Sequence, residues 1–179
     1  MTYVLLGNGF EEVEAIVPAD FLNRAGIEVK LVSIYPDLTV EGSHGVKVTA
    51  DTTVYAADLP LPEALILPGG MGGVGEMRNS EPAKKLIRDC ASADKLIGAI
   101  CAAPTLLSEM GLIKGRIVTC FPDLKDRITD GIWENSQAVT DGKLVTSRAA
   151  GTASQFAFAL IRELKDQETA DKIRRSVWF

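Results

Sequence analysis

Leu96-Ile97-Gly98-Ala99-Ile100-Cys101-Ala102-Ala103-Pro104 is the stretch on which the fold turns. Leu96 to Ile100 reads as a buried strand. Ala102 to Met110, closed by Gly111, reads as a helix, so strand passes to helix with no loop between them. A residue at such a junction sits on a tight turn that needs small neighbours, and Ala99 and Ala103 flank Cys101 two positions to either side. The pattern is a nucleophile elbow with a thiol in place of the hydroxyl. Free N–H groups at the helix start are expected to lower the thiol pKa and favour the thiolate. The competing reading is a buried structural cysteine, a common position for free thiols.

The same alternation recurs on both sides. Tyr3 to Gly7 predicts a strand, and Glu11 to Ala25 a helix with Val13, Ile16, Val17, Phe21 and Ala25 on one face and Gly26 beyond its end. Ile27 to Ile34 predicts the second strand, and an excursion over 35–55 alternates around Gly42 and Gly45. Ala64 to Leu67 predicts a strand ending in Pro68-Gly69-Gly70, and Ser80 caps a helix from Glu81 to about Ala93. Arg116 to Cys120 reads as another strand, and Gln137 to Ser147 as a hairpin around Asp141-Gly142. Thr152 to Leu164 and residues 167–177 read as the last helices. This order predicts an α/β fold, a mostly parallel sheet covered on both faces, in one domain over 1–179. Ligands in such sheets bind beyond the carboxyl ends of the strands. That rule selects Glu11, Glu12, Glu14, Gly69, Gly70, Cys101, Cys120 and Phe121.

Composition narrows the chemistry. The chain has 179 residues, a net charge of −5, 46% hydrophobic and 24% charged residues, three cysteines and one histidine. The acidic balance without a basic block argues against nucleic acid or an anionic membrane as partner. No apolar run approaches the ~18 residues of a membrane span. The absence of a cationic, apolar N-terminal segment predicts no export signal, and hence a cytoplasmic protein with free thiols. One histidine and dispersed cysteines provide no metal-ligand spacing, so no metal is expected.

Three acids compete for the second role in a site. Acidic residues in a first helical turn usually complement the helix dipole. Glu14 differs because Pro18, four residues on, cannot donate to its carbonyl, so the helix must kink or start late there. Gly70-Met71-Gly72-Gly73-Val74-Gly75 spells G-x-G-x-x-G, yet Pro68 interrupts the junction, the helix is expected only at Ser80, and no acid falls where a ribose would need one. Gly69-Gly70 reads better as a close-approach turn that donates a backbone N–H into the site. Cys120 reads as a packing residue or a resolving thiol, Cys90 as structural, and His44 as a solvated loop residue.

Seven segments in order make the chain resemble the ThiJ/PfpI superfamily of DJ-one-like proteins. They are Gly9-Phe10-Glu11-Glu12-Val13-Glu14, Pro18-Ala19-Asp20 with Arg24-Ala25-Gly26, Leu67-Pro68-Gly69-Gly70, Ala99-Ile100-Cys101-Ala102-Ala103-Pro104, Phe121-Pro122 with Leu124-Lys125-Asp126, Thr146-Ser147-Arg148 and Gly151-Thr152. The resemblance implies a flavodoxin-like three-layer sandwich, similar to class I glutamine amidotransferases, and a homodimer packed partly through the first helix. It implies that Cys101 is the oxidation-sensitive nucleophile, that Glu14 hydrogen-bonds its sulfur, and that Gly70 and Ala102 supply the backbone N–H groups of an oxyanion-hole-like pocket. Protease-type members carry a histidine beside the nucleophile. Here those positions are Phe121 and Ala102, which argues against a peptidase unless His44 arrives from a second subunit.

A thiolate and a carboxyl alone can attack a reactive carbonyl. The activity implied is therefore cofactor-independent, glyoxalase- or deglycase-like, on a small 2-oxoaldehyde or a glycated substrate. The alternatives are a non-enzymatic redox sensor or oxidative-stress chaperone and, behind it, an amidase or peptidase.

Overall fold

The computed structural model describes residues 1–179. In chain order the elements are β1 (Thr2–Leu6), α1 (Glu12–Arg24), β2 (Val29–Ser33), β3 (Thr39–Glu41), β4 (Lys47–Thr49), β5 (Thr52–Thr53), β6 (Ala64–Leu67), α2 (Met71–Asn79), α3 (Glu81–Ser92), β7 (Leu96–Ile100), α4 (Ala103–Glu109), β8 (Ile117–Val118), β9 (Ile132–Trp133), β10 (Ala138–Asp141), β11 (Leu144–Ser147), α5 (Ala153–Leu164) and α6 (Gln167–Ser176). Seven strands form one sheet in the order β10-β11-β7-β6-β1-β2-β5. Every pairing in it is parallel except the β10–β11 hairpin. The flavodoxin-like α/β expectation is met.

Side-chain alternation explains the layers. Tyr3, Leu5, Leu65 and Leu67 point to one face, where Val74, Met77, Leu86, Ile87 and Leu106 of α2, α3 and α4 cover them. Val4, Leu6, Ala64 and Ile66 point to the other, under Ala15, Leu22, Phe156, Leu160 and Ile173 of α1, α5 and α6. A strand buried on both faces reads as an unbroken apolar run, which is why these runs are legible. The chain lays β2 on one side of β1 and β6 on the other, so the strand order reverses between β1 and β6. The loop after β1 and the Pro68-Gly69-Gly70 turn meet at that reversal, the position where such sheets take ligands.

Three expectations change. The glycine-rich run after β6 is not a loop, because α2 starts at Met71 directly after Gly70. Glycine carries a poor helix propensity, so the run has no helical signal. It is helical because Val74 and Met77 are buried and a Cβ at Gly72 or Gly73 would meet the backbone of Gly9 or Phe10 at 3.1 and 2.8 Å. The strand expected over Arg116 to Cys120 is only β8, which pairs with β9 outside the main sheet. Side chains take the N–H groups a sheet neighbour would use: Asp141 accepts from Ile117 N–H at 2.8 Å and Thr146 from Thr119 N–H at 2.9 Å. Finally, α1 runs through Pro18 and starts at Glu12 rather than late, capped by the Glu11 carboxylate on the Val13 and Glu14 N–H groups.

Candidate active site

Cys101 stands between β7 and α4 with φ of 64°, in the left-handed region. For a residue with a Cβ this conformation costs about 1 kcal/mol or more and persists only where neighbours over-determine it. They do so here. The Cys101 N–H donates to the Ser147 carbonyl at the end of β11, and the Cys101 carbonyl accepts from the Phe121 N–H, both at 2.9 Å. The thiol is half-buried, whereas Cys90 and Cys120 are buried.

Glu14 is fully buried in the first turn of α1. Its Oε2 accepts the Gly69 N–H at 2.8 Å. Oε1 is shielded from solvent without a conventional partner, and the side chain that the carboxyl meets is the Cys101 thiol. A proton on the carboxyl, donated to sulfur, satisfies both groups. The approach depends on Gly69, where a Cβ would lie 2.6 Å from the Cys101 Cβ and closer still to Glu14 Oε2. Gly70 is constrained separately, since its φ is 83° and a Cβ would meet the Glu11 N at 2.7 Å.

Burial pushes Glu14 up to about 7, against the opposing pull of hydrogen bonds with Cys101, Gly69 and Ala150. Burial also pushes the Cys101 thiol up to about 12, and the Glu14 charge and its hydrogen bond push the same way. The N–H groups of Gly70 and Ala102 favour the thiolate but do not prevail. The expected lowering of the thiol pKa is thus reversed, first because burial penalises the thiolate and then because two anions cannot share one buried site. Between their two titrations the groups act as a unit that holds one negative charge, on carboxylate or on sulfur, with one proton between them.

The other expected residues fall elsewhere. The exposed His44 ring bonds Glu12 Oε2 through Nδ1 at 3.0 Å, and its backbone N–H donates to Glu12 Oε1 at 2.7 Å. Its side-chain partners are Glu12, Ser43 and, at 4.0 Å, Glu11. The donor atoms of Glu11, Glu12 and His44 lie within 4.8 Å of one another, a grouping that sequence spacing does not reveal. Glu12 is occupied by His44 and Ser43, and Glu11 by the start of α1. Cys120 Sγ lies 3.4 Å from the Phe121 carbonyl, with the Trp133 side chain as its other polar neighbour. Burial pushes its thiol up to about 11. The Ser147 carbonyl is a contribution that sequence reasoning passed over, although Thr146-Ser147-Arg148 frames it.

A cysteine elbow beside a strand-order reversal in a mostly parallel sheet is the arrangement of the flavodoxin-like, amidotransferase-like class. The DJ-1/PfpI family profile matches residues 2–163, and the chain belongs to that family. It is 35% identical to Protein dj-1beta of Drosophila melanogaster over 97% of this chain and 94% of that protein. It is 33% identical to Deglycase PH1704 of Pyrococcus horikoshii over 90% of this chain and 97% of that one. The solved structure of oxidized Toxoplasma gondii DJ-1 superposes with a TM-score of 0.95 at 31% identity, covering 99% of this chain and 97% of the other. No helix is long and apolar enough to cross a membrane.

Proposed function

We propose that this chain is a single-domain, cysteine-dependent protein that acts on reactive carbonyls without a cofactor, in the manner of a glyoxalase or deglycase. The observation that carries the reading is the pairing of a half-buried thiol with a carboxyl whose proton is retained to about pH 7. An acid of that strength can give and take protons near neutrality.

Cys101 sulfur adds to the aldehyde carbon of a 2-oxoaldehyde such as methylglyoxal, and the carbonyl π bond becomes an oxyanion. The Gly70 and Ala102 N–H groups hold that oxyanion, each donor of this kind being worth about 3 kcal/mol. Protonation gives the hemithioacetal. The Glu14 carboxylate removes the proton from the former aldehyde carbon, and the electron pair moves to the neighbouring carbonyl to give an enediol. Return of the proton to that neighbouring carbon leaves a thioester of a 2-hydroxy acid. Water then cleaves the carbon–sulfur bond, releasing lactate and the thiol, so the sum is 2-oxoaldehyde plus water to 2-hydroxy acid. Glyoxal-derived adducts of protein side chains present the same carbon oxidation level. A homodimer packed partly through α1, where Val13 and Ile16 are exposed, belongs to the same proposal.

A screen of 2-oxoaldehydes tests the reading. Methylglyoxal should turn over to lactate, and Cys101→Ser and Glu14→Gln should each lose about 10²-fold or more. Wild-type turnover by Cys101→Ser overturns it. The second reading, a redox sensor or oxidative-stress chaperone, is favoured by one observation: Cys101 alone of the three thiols is not buried. There two equivalents of peroxide take the thiolate to sulfinate, releasing water at each step, and protonated Glu14 donates to a sulfinate oxygen. A gain of two oxygens at Cys101 after mild peroxide, in a protein without turnover, selects it. Phe121 and Ala102, in place of a histidine, leave the peptidase reading without a base.

A further inference from the structure

The segment after β11 does more than lead into α5. Ser147 closes β11 opposite Ile100, and its carbonyl holds the Cys101 N–H at 2.9 Å. Its hydroxyl lies 2.7 Å from the Gln137 carbonyl oxygen and 2.8 Å from Thr152 Oγ1. Thr152 Oγ1 accepts the Ala149 N–H at 3.1 Å and lies 2.8 Å from the Ala149 carbonyl oxygen, which also accepts the Thr152 N–H at 2.8 Å. Ser147 and Thr152 are 0% and 4% exposed, so bulk water replaces neither hydroxyl.

Each hydroxyl has one proton, which leaves two consistent patterns. Thr152 donates to Ser147 while Ser147 donates to the Gln137 carbonyl, with the Thr152 carbonyl a longer acceptor at 3.3 Å, or Ser147 donates to Thr152 Oγ1 while Thr152 donates to Ala149. In both, the Ala149 N–H rests on Thr152 Oγ1, and residues 149–152 form a turn closed on itself. The Ala150 N–H, inside that turn, is near enough to the Glu14 carboxyl to favour its charged form, but the backbone hydrogen bond made to that carboxyl is the one from Gly69. The remaining groups that act on Glu14 are the Cys101 thiol and the Glu11 carboxyl.

We propose that Thr152 is a positioning residue for the Cys101–Glu14 pair: its hydroxyl fixes the Ala149–Thr152 turn and the Ser147 end of β11, and so keeps the Ser147 carbonyl on the Cys101 N–H. A hydroxyl is required and the γ-methyl is not. Valine reproduces the shape of Thr152 without the bond, and serine keeps the bond without the methyl. The inference rests on the proposed function only in taking this pair as the reacting groups. The pair can be read with no substrate present, through the pH dependence of Cys101 alkylation by iodoacetamide.

Releasing the elbow weakens the hold of the Gly70 and Ala102 N–H groups on a negative charge in the pair, which raises its first apparent pKa. Thr152→Val should therefore move the alkylation profile up by about half a pH unit or more. It should also lower methylglyoxal kcat about 10-fold with a smaller change in KM, as expected when orientation rather than binding is lost. Thr152→Ser should restore both. An unshifted profile in folded Thr152→Val, or Thr152→Ser behaving like Thr152→Val, overturns the proposal and leaves Thr152 a structural residue. If Thr152→Val does not accumulate as folded protein, Thr152→Ala is read in the same assay with the same criteria. A shifted profile in a protein whose wild type turns over no 2-oxoaldehyde removes the proposed enzyme and leaves this inference standing.

Discussion

Cys101 and Cys120 make a controlled comparison within one molecule. Each follows an apolar stretch that reads as a strand, each precedes a proline by two or three residues, and burial raises both thiols, to about 12 and about 11. They differ in what the backbone around them permits. Cys101 takes a left-handed φ and faces the Glu14 carboxyl across a gap that only glycine at 69 leaves open. Cys120 is buried between the Phe121 carbonyl and the Trp133 side chain, with no acid beside it. Burial therefore raises both thiols, but only at Cys101 does a neighbouring carboxyl add to the shift.

The largest expected effect tests that comparison directly. In native protein at pH 8, iodoacetamide should label Cys101 about 10³-fold faster than Cys120, because Cys120 reacts only through transient opening. Peptide mapping of a time course checks it, and equal labelling of the two thiols would abolish the distinction. Cys120→Ala should leave the Cys101 labelling rate within about twofold.

Glu14→Gln gives the next effect, and its sign follows from linkage. The carboxyl titrates at about 7 in the folded protein against 4.5 as its ordinary value, so between those pH values the folded state holds more proton than the unfolded. Stability contributed by the protonated carboxyl is fully present below pH 4.5 and is lost as pH rises through 7. Glutamine stays neutral throughout. The variant should gain on wild type across that window by about 3 kcal/mol, measured as the difference in urea unfolding at pH 4.5 and pH 8. A difference that does not change with pH would mean that Glu14 is not held protonated.

Gly69→Ala is expected to cost about 2 kcal/mol, since its methyl must displace either the Glu14 carboxyl or the Cys101 side chain. Gly75→Ala is the matched control, because a Cβ there meets nothing within 4 Å and its φ, like that of Gly69, lies outside the left-handed region. The control shows what an added methyl does where it meets no neighbour, and a larger loss of Cys101 labelling in Gly69→Ala isolates the cost of separating the pair. Equal labelling in the two variants would show that Gly69 does not govern the approach.

Much of this was legible because it rests on local rules. Buried parallel strands read as apolar runs, Ser80 caps α3 as its side chain predicts, and the strand-to-helix junction at Cys101 is written in small residues. What could not be read is set by contacts between distant segments. The α2 helix forms against glycine's propensity because Gly72 and Gly73 pack on the loop after β1. β8 leaves the main sheet because Asp141 and Thr146, more than twenty residues away, take the N–H groups of Ile117 and of Thr119 just beyond it. The direction of the Cys101 shift was missed for a similar reason. A helix N-terminus is visible in sequence, while burial and the charge of Glu14 outweigh it only once the two are brought together. Ser147 holds the elbow through its carbonyl, so nothing in its side chain announces the contact.

The smallest effect is expected at His44, and it sharpens the contrast between the buried elbow and the exposed β3–β4 hairpin. Burial alone would push Glu12 up, but hydrogen bonds from His44 and Ser43 outweigh it and hold the carboxyl at about 2. The same contact, chiefly the hydrogen bond and charge of Glu12, raises the imidazole above its ordinary 6.5. Stability from protonated His44 is then present below pH 6.5 and lost as pH rises through its higher folded pKa. His44→Ala should remove only that component, visible as a small loss of stability at pH 5.5 that vanishes by pH 9. Cys101 alkylation should keep its rate and pH profile, because the His44 side chain is committed to Glu12 and Ser43 of its own chain. A change in that rate which grows with protein concentration would reverse the assignment, since it would place the hairpin of one copy against the elbow of another.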